Sequence, residues 1–246
     1  MRNKWYLLSM VLLVAALLAL PGVARSSMWV GGEIGGNCTF DNDVHLDIGG
    51  HTQITADKVG VQPAVIGGIT IGYDFVNAGF GGYAWPDWMK YFFVCTDFTY
   101  NNIQINSQMV TFEGVNSNVP GPFPSGLGTR LDGYLAAWFF GVGVHYGFFP
   151  DSEIPIGRVH PYFIVGPAIA FSGITVKGWG SQSSVDPALG IETGIRWILL
   201  PNVTVDTAMR YRHAYPTYSF NPGGTPIDVS LGVNMLSFLV RANYHF

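Results

Sequence analysis

The sequence predicts an eight-stranded antiparallel up-and-down transmembrane β-barrel. Three observations carry that reading. Segments that alternate at period two recur along the chain, with turn-rich stretches between them. Only 11% of the 246 residues are charged, against 48% hydrophobic and 15% aromatic, which is less than half the charge of an ordinary soluble domain. No stretch after the first 27 residues offers even a dozen consecutive apolar residues at helical period, so spanning helices do not account for the apolar content.

The same composition excludes other classes. Disorder needs high charge and few aromatics. A nucleic-acid partner is not expected, because the net charge is −4 and no Lys/Arg stripe is available to neutralise phosphates. Two cysteines are too few for a disulfide scaffold.

Residues 1–24 read as a secretory signal peptide, leaving 25–246 as the barrel. Arg2 and Lys4 precede an apolar run from Trp5 to Leu20, and Gly22 and Ala24 stand at −3 and −1 of the cut. A cut after Ser26 satisfies the same rule. Removing the two basic residues takes the net charge from −4 to −6. Cys38 follows Gly36-Asn37 well past the apolar run, so a lipoprotein is not expected.

The eight strands are expected at Trp29–Phe40, Ala64–Phe75, Tyr91–Asn102, Gly133–Phe149, Tyr162–Val176, Pro187–Leu199, Val203–Tyr215 and Gly232–Phe246. Long polar loops are expected over Asp41–Pro63 and Ile103–Asp132, a medium one over Lys177–Asp186 and a Pro/Gly loop over Pro216–Leu231. Asp151–Pro161 and the tight Leu200-Pro201-Asn202 lie on the other side, although Val76–Lys90 is longer than a short turn should be. Long loops at one end and short turns at the other are the pattern of bacterial membrane barrels, with both termini on the short-turn, periplasmic side.

Alternation assigns the faces. In the last strand Leu236, Phe238, Val240, Ala242, Tyr244 and Phe246 oppose Ser237, Arg241, Asn243 and His245. In the seventh, Val203, Val205, Thr207, Met209 and Tyr211 oppose Thr204, Asp206, Ala208, Arg210 and Arg212. The sixth sets Leu189, Ile191, Ile195 and Trp197 against Glu192, Gly194 and Arg196. The fourth sets Tyr134 through Phe148 against Ala137, Gly141, Gly143, His145 and Gly147. A soluble sandwich needs a charged outer face, whereas here the strand charges share the face of the small residues. Apolar outside and polar inside fits lipid, and closure removes the sheet edges lipid would not tolerate. Spans of ~9–11 residues favour eight strands over twelve; ten is the alternative if Ile103–Phe112 pairs with a partner in the second long loop.

The ending Leu239-Val240-Arg241-Ala242-Asn243-Tyr244-His245-Phe246 resembles the terminal signature of bacterial outer-membrane barrels. Pro161-Tyr162-Phe163-Ile164-Val165-Gly166-Pro167-Ala168 resembles the fifth-strand motif of the small outer-membrane β-barrel family that includes the membrane domain of outer membrane protein A, with Pro167 and Ala168 in place of its usual glycines. Ala188–Gly194, Pro201–Val205, Arg210–Arg212 and Gly31–Gly36 resemble its sixth, seventh and first strands. The resemblance covers Trp29–Phe246. It implies a cell outer-membrane location, lipid and lipopolysaccharide as surroundings, and recognition of Phe238, Val240, Ala242, Tyr244 and Phe246 by the barrel-assembly machinery. The sequence ends at the barrel, so the family's peptidoglycan-anchoring role is not carried over.

Parity sends Glu33, Asp97, Glu192, Arg196, Asp206, Arg210, Arg212 and Arg241 to the lumen, and closure of the last strand on the first brings Arg241 toward Glu33. An eight-stranded lumen is just wide enough to be filled by side chains, and buried charges there must pair. The favoured reading is a plug of salt bridges in a protein with a structural or surface-interaction role; the alternative is a narrow, porin-like ion or small-solute pore. A lipid-modifying enzyme is the third reading. His213 and Ser219 lie near one end of strand seven with Glu192 and Asp206 nearby, but His213 falls on the lipid parity, and His145 has no sequence-near serine. No catalytic residue, cofactor or metal is expected: Asp41, Asp43, His45, Asp47, His51 and Asp57 lack the Gly and closing Glu of a calcium loop and read as a solvated acidic loop. The loops are a further, non-enzymatic candidate as an adhesive or ligand-binding surface, which their Asn, Gly, Pro and Phe content and the stiff Pro120–Pro124 segment permit, with no ligand named by the sequence.

Aromatic belts are expected from Trp29, Tyr83, Trp85, Trp88, Tyr91, Phe148, Phe149, Trp197, Tyr244 and Phe246 at the turn end, and from Tyr100, Trp179, Tyr215 and Tyr218 at the loop end. Cys38 and Cys95 fall at different heights on strands one and three, too far apart for a disulfide, and are expected as free buried thiols.

Overall fold

The structure is a computed structural model that describes residues 28–48, 52–56, 61–75, 85–105, 112–113, 131–176, 180–221, 224 and 226–246. The expected signal peptide lies outside them. The strands are β1 (Met28–Ile48), β2 (Thr52–Ala56), β3 (Ala64–Asp74), β4 (Phe92–Ile105), β5 (Phe112–Glu113), β6 (Leu131–His145), β7 (Val159–Val176), β8 (Gly180–Leu200), β9 (Val203–Ala214), β10 (Thr217–Phe220) and β11 (Ile227–His245). Eight of them (β1, β3, β4, β6, β7, β8, β9 and β11) pair antiparallel in chain order, and β11 closes on β1. This is an eight-stranded up-and-down transmembrane barrel. β5 pairs with β2 outside the ring, so the ten-strand alternative falls.

Closure runs from Trp29 opposite His245 to Ile48 opposite Ile227. The β6–β7 ladder skips Phe140 and Gly141 opposite Pro167 and Gly166, and resumes in the same register. Pro167 has no N–H to donate there. The tight Leu200–Asn202 turn joins β8 to β9, and Asp87–Tyr91 forms a single 3-10 turn ahead of β4.

The expected loops are shorter than the sequence suggested, because several strands continue past the lipid-facing band. β1 runs on to Ile48 and pairs with β2, where Asp41–Pro63 was expected as loop. β4 continues to Ile105, β8 begins at Gly180, and β10 pairs with the early part of β11. Backbone ladders need no apolar outer face, so these polar extensions carried no hydrophobic signal. The opposite error occurs in β6, which ends at His145; beyond it only Phe148 bridges to Val159, and Phe149 takes φ +59°, outside extended geometry.

Outward positions form an apolar surface. Ile34 is 63% exposed and Val65 70%, with Phe98, Trp138, Val142 and Val240 on the same band. In water such a surface would be an interaction site or a liability; in lipid it is the resting state. Trp88, Tyr91, Phe148, Phe149, Trp197 and Tyr244 are exposed at the turn end, and Tyr100 and Tyr215 at the other. Two belt assignments are corrected. Trp29 and Tyr218 are buried inside, as their parity with Glu33 and Ala214 dictates. Tyr83 and Trp179 lie outside the described residues.

Cys38 and Cys95 are both free. Cys95 is buried in the lumen, but Cys38 is only half-buried, so burial of both is corrected. They face opposite sides of the wall: Cys38 alternates with the lumenal Asn37, and Cys95 sits two positions from the lumenal Asp97.

Candidate functional site

Inward parity in every ring strand delivers polar and small residues to one lumen, and their sizes are matched. A Cβ on Gly72 would collide with the Trp29 ring, and one on Gly143 with the Phe93 ring. Glycine at those inward positions makes room for the aromatics opposite.

All eight predicted lumenal charges are buried. Arg210 of β9 is the hub. Its Nη1 and Nη2 donate to Asp97 Oδ1 and Oδ2 at 3.0 and 2.9 Å, its Nε donates to Glu192 Oε2 at 2.6 Å, and Nη1 lies 3.3 Å from Glu33 Oε1. Arg241 of β11 donates to Glu33 Oε2 through Nη2 at 2.7 Å, to Glu192 Oε1 at 3.2 Å, and to Asp206 Oδ2 through Nη1 at 3.4 Å. Arg196 of β8 reaches Asp206 through Nε at 3.3 Å. Arg212 is placed with the others but is not closely paired: among the described residues its nearest acid oxygen, on Asp97, is 4.0 Å away.

Other members were not singled out from the sequence. Asp74, at the last position of β3, accepts from Arg196 Nη1 at 3.3 Å. The Tyr162 hydroxyl donates to Glu192 Oε1 at 2.9 Å. Asp74 shares even parity with Thr70 and Tyr162 with Ile164, so alternation alone could have found both. The guanidinium of Arg196 stacks over Trp29 at 4.8 Å, and that of Arg210 over Phe139 at 5.4 Å, so aromatic faces cover part of the charge.

The lumen is layered along its axis. At the turn end, His145 Nδ1 and His160 Nδ1 are 2.9 Å apart, His160 Nε2 donates to the Gly157 carbonyl, and His245 Nε2 lies 3.2 Å from Thr204 Oγ1. The ionic layer is central. Beyond it, Leu135, Ala170, Ala214, Leu231, Val233 and Met235 form an apolar cluster, followed by Ile174, Val176, Tyr218 and Phe220.

The grouping considered for lipid chemistry is not assembled. His213 is exposed outside with its Nδ1 2.9 Å from Asn234 Oδ1, and Ser219 donates to Asp228. Glu192 and Asp206 are inside and held by arginines. The acidic segment is corrected from loop to strand. A bulge between Phe40 and Asp43 switches the inward parity, so Asn42 and Leu46 are buried while Asp43 and His45 are exposed. No group of three metal-type ligands occurs among the described residues. The side chains of Asp41, His51 and Asp57 lie outside the description.

No family model matches the chain, and no curated protein matches it. Among solved structures, outer membrane protein OprG from Pseudomonas aeruginosa is similar, with a TM-score of 0.55 over 90% of this chain and 97% of that one at 12% identity. Neisserial surface protein A gives a TM-score of 0.47 over 91% of this chain and all of that one, at 13% identity. The likeness to OprG shows the fold alone, that of a small outer-membrane β-barrel.

Proposed function

From that shared fold, we propose that the protein is an integral outer-membrane barrel with a structural or surface-interaction role and a lumen closed to solutes. One observation carries the reading: Arg210 on β9 holds Asp97 on β4, four places away around an eight-strand ring, so the ion pair lies across the lumen. Arg241, Glu33 and Glu192 join it from the intervening walls. Opening a path here requires pulling carboxylates from arginines in a desolvated interior, a change of several kcal/mol per broken pair.

In this reading the turn end faces the periplasm and the extended strands face outward into the lipopolysaccharide layer. Phe238, Val240, Ala242 and Tyr244 present the outward row for the assembly machinery, with Phe246 completing it. The test is conductance of refolded protein in a planar bilayer, after a heat-modifiability gel has verified the closed barrel. Little or no stable conductance is expected; a large, long-lived open pore overturns the plug.

A further inference from the structure

Three lumenal arginines on β9 and β11 differ in one respect. An arginine presents Nε–H and one Nη–H side by side, a fork that matches the two oxygens of a carboxylate. In Arg210 that fork meets Glu192 Oε2 at 2.6 and 2.5 Å. In Arg241 it meets Glu33 Oε2 at 3.0 and 2.7 Å. In Arg212 the same two nitrogens, Nε and Nη2, are buried and donate to no group among the described residues. Among the described residues Nη1 alone is engaged, donating to Thr99 Oγ1 at 3.1 Å.

Arg212 is 2% exposed, so bulk solvent does not serve the fork. Its nearest acid, Asp97, is already held through both oxygens by Arg210. A buried guanidinium with two idle donors is costly unless something accepts from them. The surroundings define the acceptor's other end. Arg212 stands opposite Met235 in the β9–β11 ladder, and Met235 belongs to the apolar cluster with Leu135 and Val233. The fork therefore lies where the ionic layer gives way to an apolar one.

We propose that the Arg212 fork binds the carboxylate of an aliphatic acid reaching it from the loop end, with the hydrocarbon tail against Leu135, Val233 and Met235. The carboxylate completes for Arg212 the pairing that Glu192 and Glu33 give its neighbours. The tail makes apolar contacts that a small inorganic anion could not make. The site goes beyond the plug reading and does not depend on it, because the acid binds on the loop side of the ionic layer and need not pass it.

The experiment uses the refolded full chain in a non-ionic detergent, with octanoate carrying a ¹³C carboxyl titrated at pH 8 and followed by NMR, and detergent alone as the blank. One saturable site per barrel is expected, with octanamide and acetate each binding at least tenfold more weakly. Arg212→Gln removes the charge and Arg212→Lys keeps it without the fork; both are expected to weaken octanoate at least tenfold while the heat-modifiable band persists. The octanoate–octanamide comparison needs no variant and stands if the substituted barrels fail to fold. Equal binding of octanamide, equal binding of acetate, retained affinity in folded Arg212→Gln, or no saturable binding to the wild type each overturns the proposal. The last result would mean that the fork is not a site for such an acid. Conductance is read separately, so an open pore overturns the plug and leaves this site to its own test.

Discussion

Arg210 and Asp97 make a two-pronged ion pair across the barrel, with both guanidinium Nη atoms on both carboxylate oxygens at 2.9–3.0 Å. The two residues sit on strands four places apart in the ring. The pair joins walls that have no backbone ladder in common, and so ties the barrel through its centre.

Removing the hub should therefore cost more than removing an ordinary lumenal side chain. Arg210→Met leaves Asp97 without its bidentate partner and takes one arginine from both Glu33 and Glu192. Loss of one member of a buried ion pair typically costs about 3–5 kcal/mol. Urea unfolding of refolded protein in lipid vesicles should show a loss of that size. A midpoint equal to wild type would mean that the network does not hold the lumen together.

Barrel closure is testable through Glu33 and Arg241, which are ladder partners on β1 and β11 and share a 2.7 Å ion pair. Glu33→Gln and Arg241→Gln should each destabilise the barrel, and the double variant should cost less than their sum. Contacting charged residues couple by about 0.5–3 kcal/mol. Strict additivity in a double-mutant cycle would deny the contact.

How much of this was readable beforehand follows from what alternation encodes. Parity and closure placed Arg241 toward Glu33 because both statements need only a strand's direction and its neighbours. The bulge between Phe40 and Asp43 was invisible, since one inserted residue leaves composition unchanged while reversing which side is inward. Asp74 lay inside the expected Ala64–Phe75 strand on the parity of Thr70, so its inward position was legible although it was not singled out. Parity also treated Arg210 and Arg212 alike, and cannot do otherwise: whether a fork finds a carboxylate depends on distances across the lumen. The extended strands beyond the lipid band left no trace, because water makes no apolar demand on their outer face.

The cysteines separate the two faces chemically. Cys38 is half-buried on the outer face, with its thiol 3.6 Å from the Leu236 carbonyl, whereas Cys95 is buried in the lumen. In vesicles an apolar maleimide should modify Cys38 alone, and Cys95 only after unfolding. Gel mobility should be unchanged by reductant. Equal labelling of the two in the folded barrel would contradict the strand faces.

Lipid exposure can be probed at Val240, which is 52% exposed and roughly midway along β11 between Tyr244 and Asn234. Arginine on the lipid face near the bilayer midplane costs about 2–4 kcal/mol. Val240→Arg should lower stability in vesicles by that amount, and Val240→Leu should leave it nearly unchanged. A cost near zero for the arginine would place this face in water.

The β6–β7 turn should respond to acid through Asp151, which lies outside the spanning strands. Its Oδ1 accepts the Ile154 and Glu153 N–H groups at 2.7 and 2.9 Å, and its Oδ2 accepts from Arg158 Nε. The Ile154 hydrogen bond first, and then Arg158, hold its carboxyl below the usual carboxylate range. A depressed folded value means that the unfolded turn binds its proton at higher pH than the folded one. The stabilisation is thus complete above the ordinary aspartate value of about 3.9 and disappears as the pH falls through the lower folded value. A ¹³C carboxyl titration of the folded protein should place the Asp151 midpoint below that of an unstructured aspartate, and Arg158→Gln should move it partway back. An Asp151 midpoint at or above the ordinary value would mean that the carboxylate does not hold the turn.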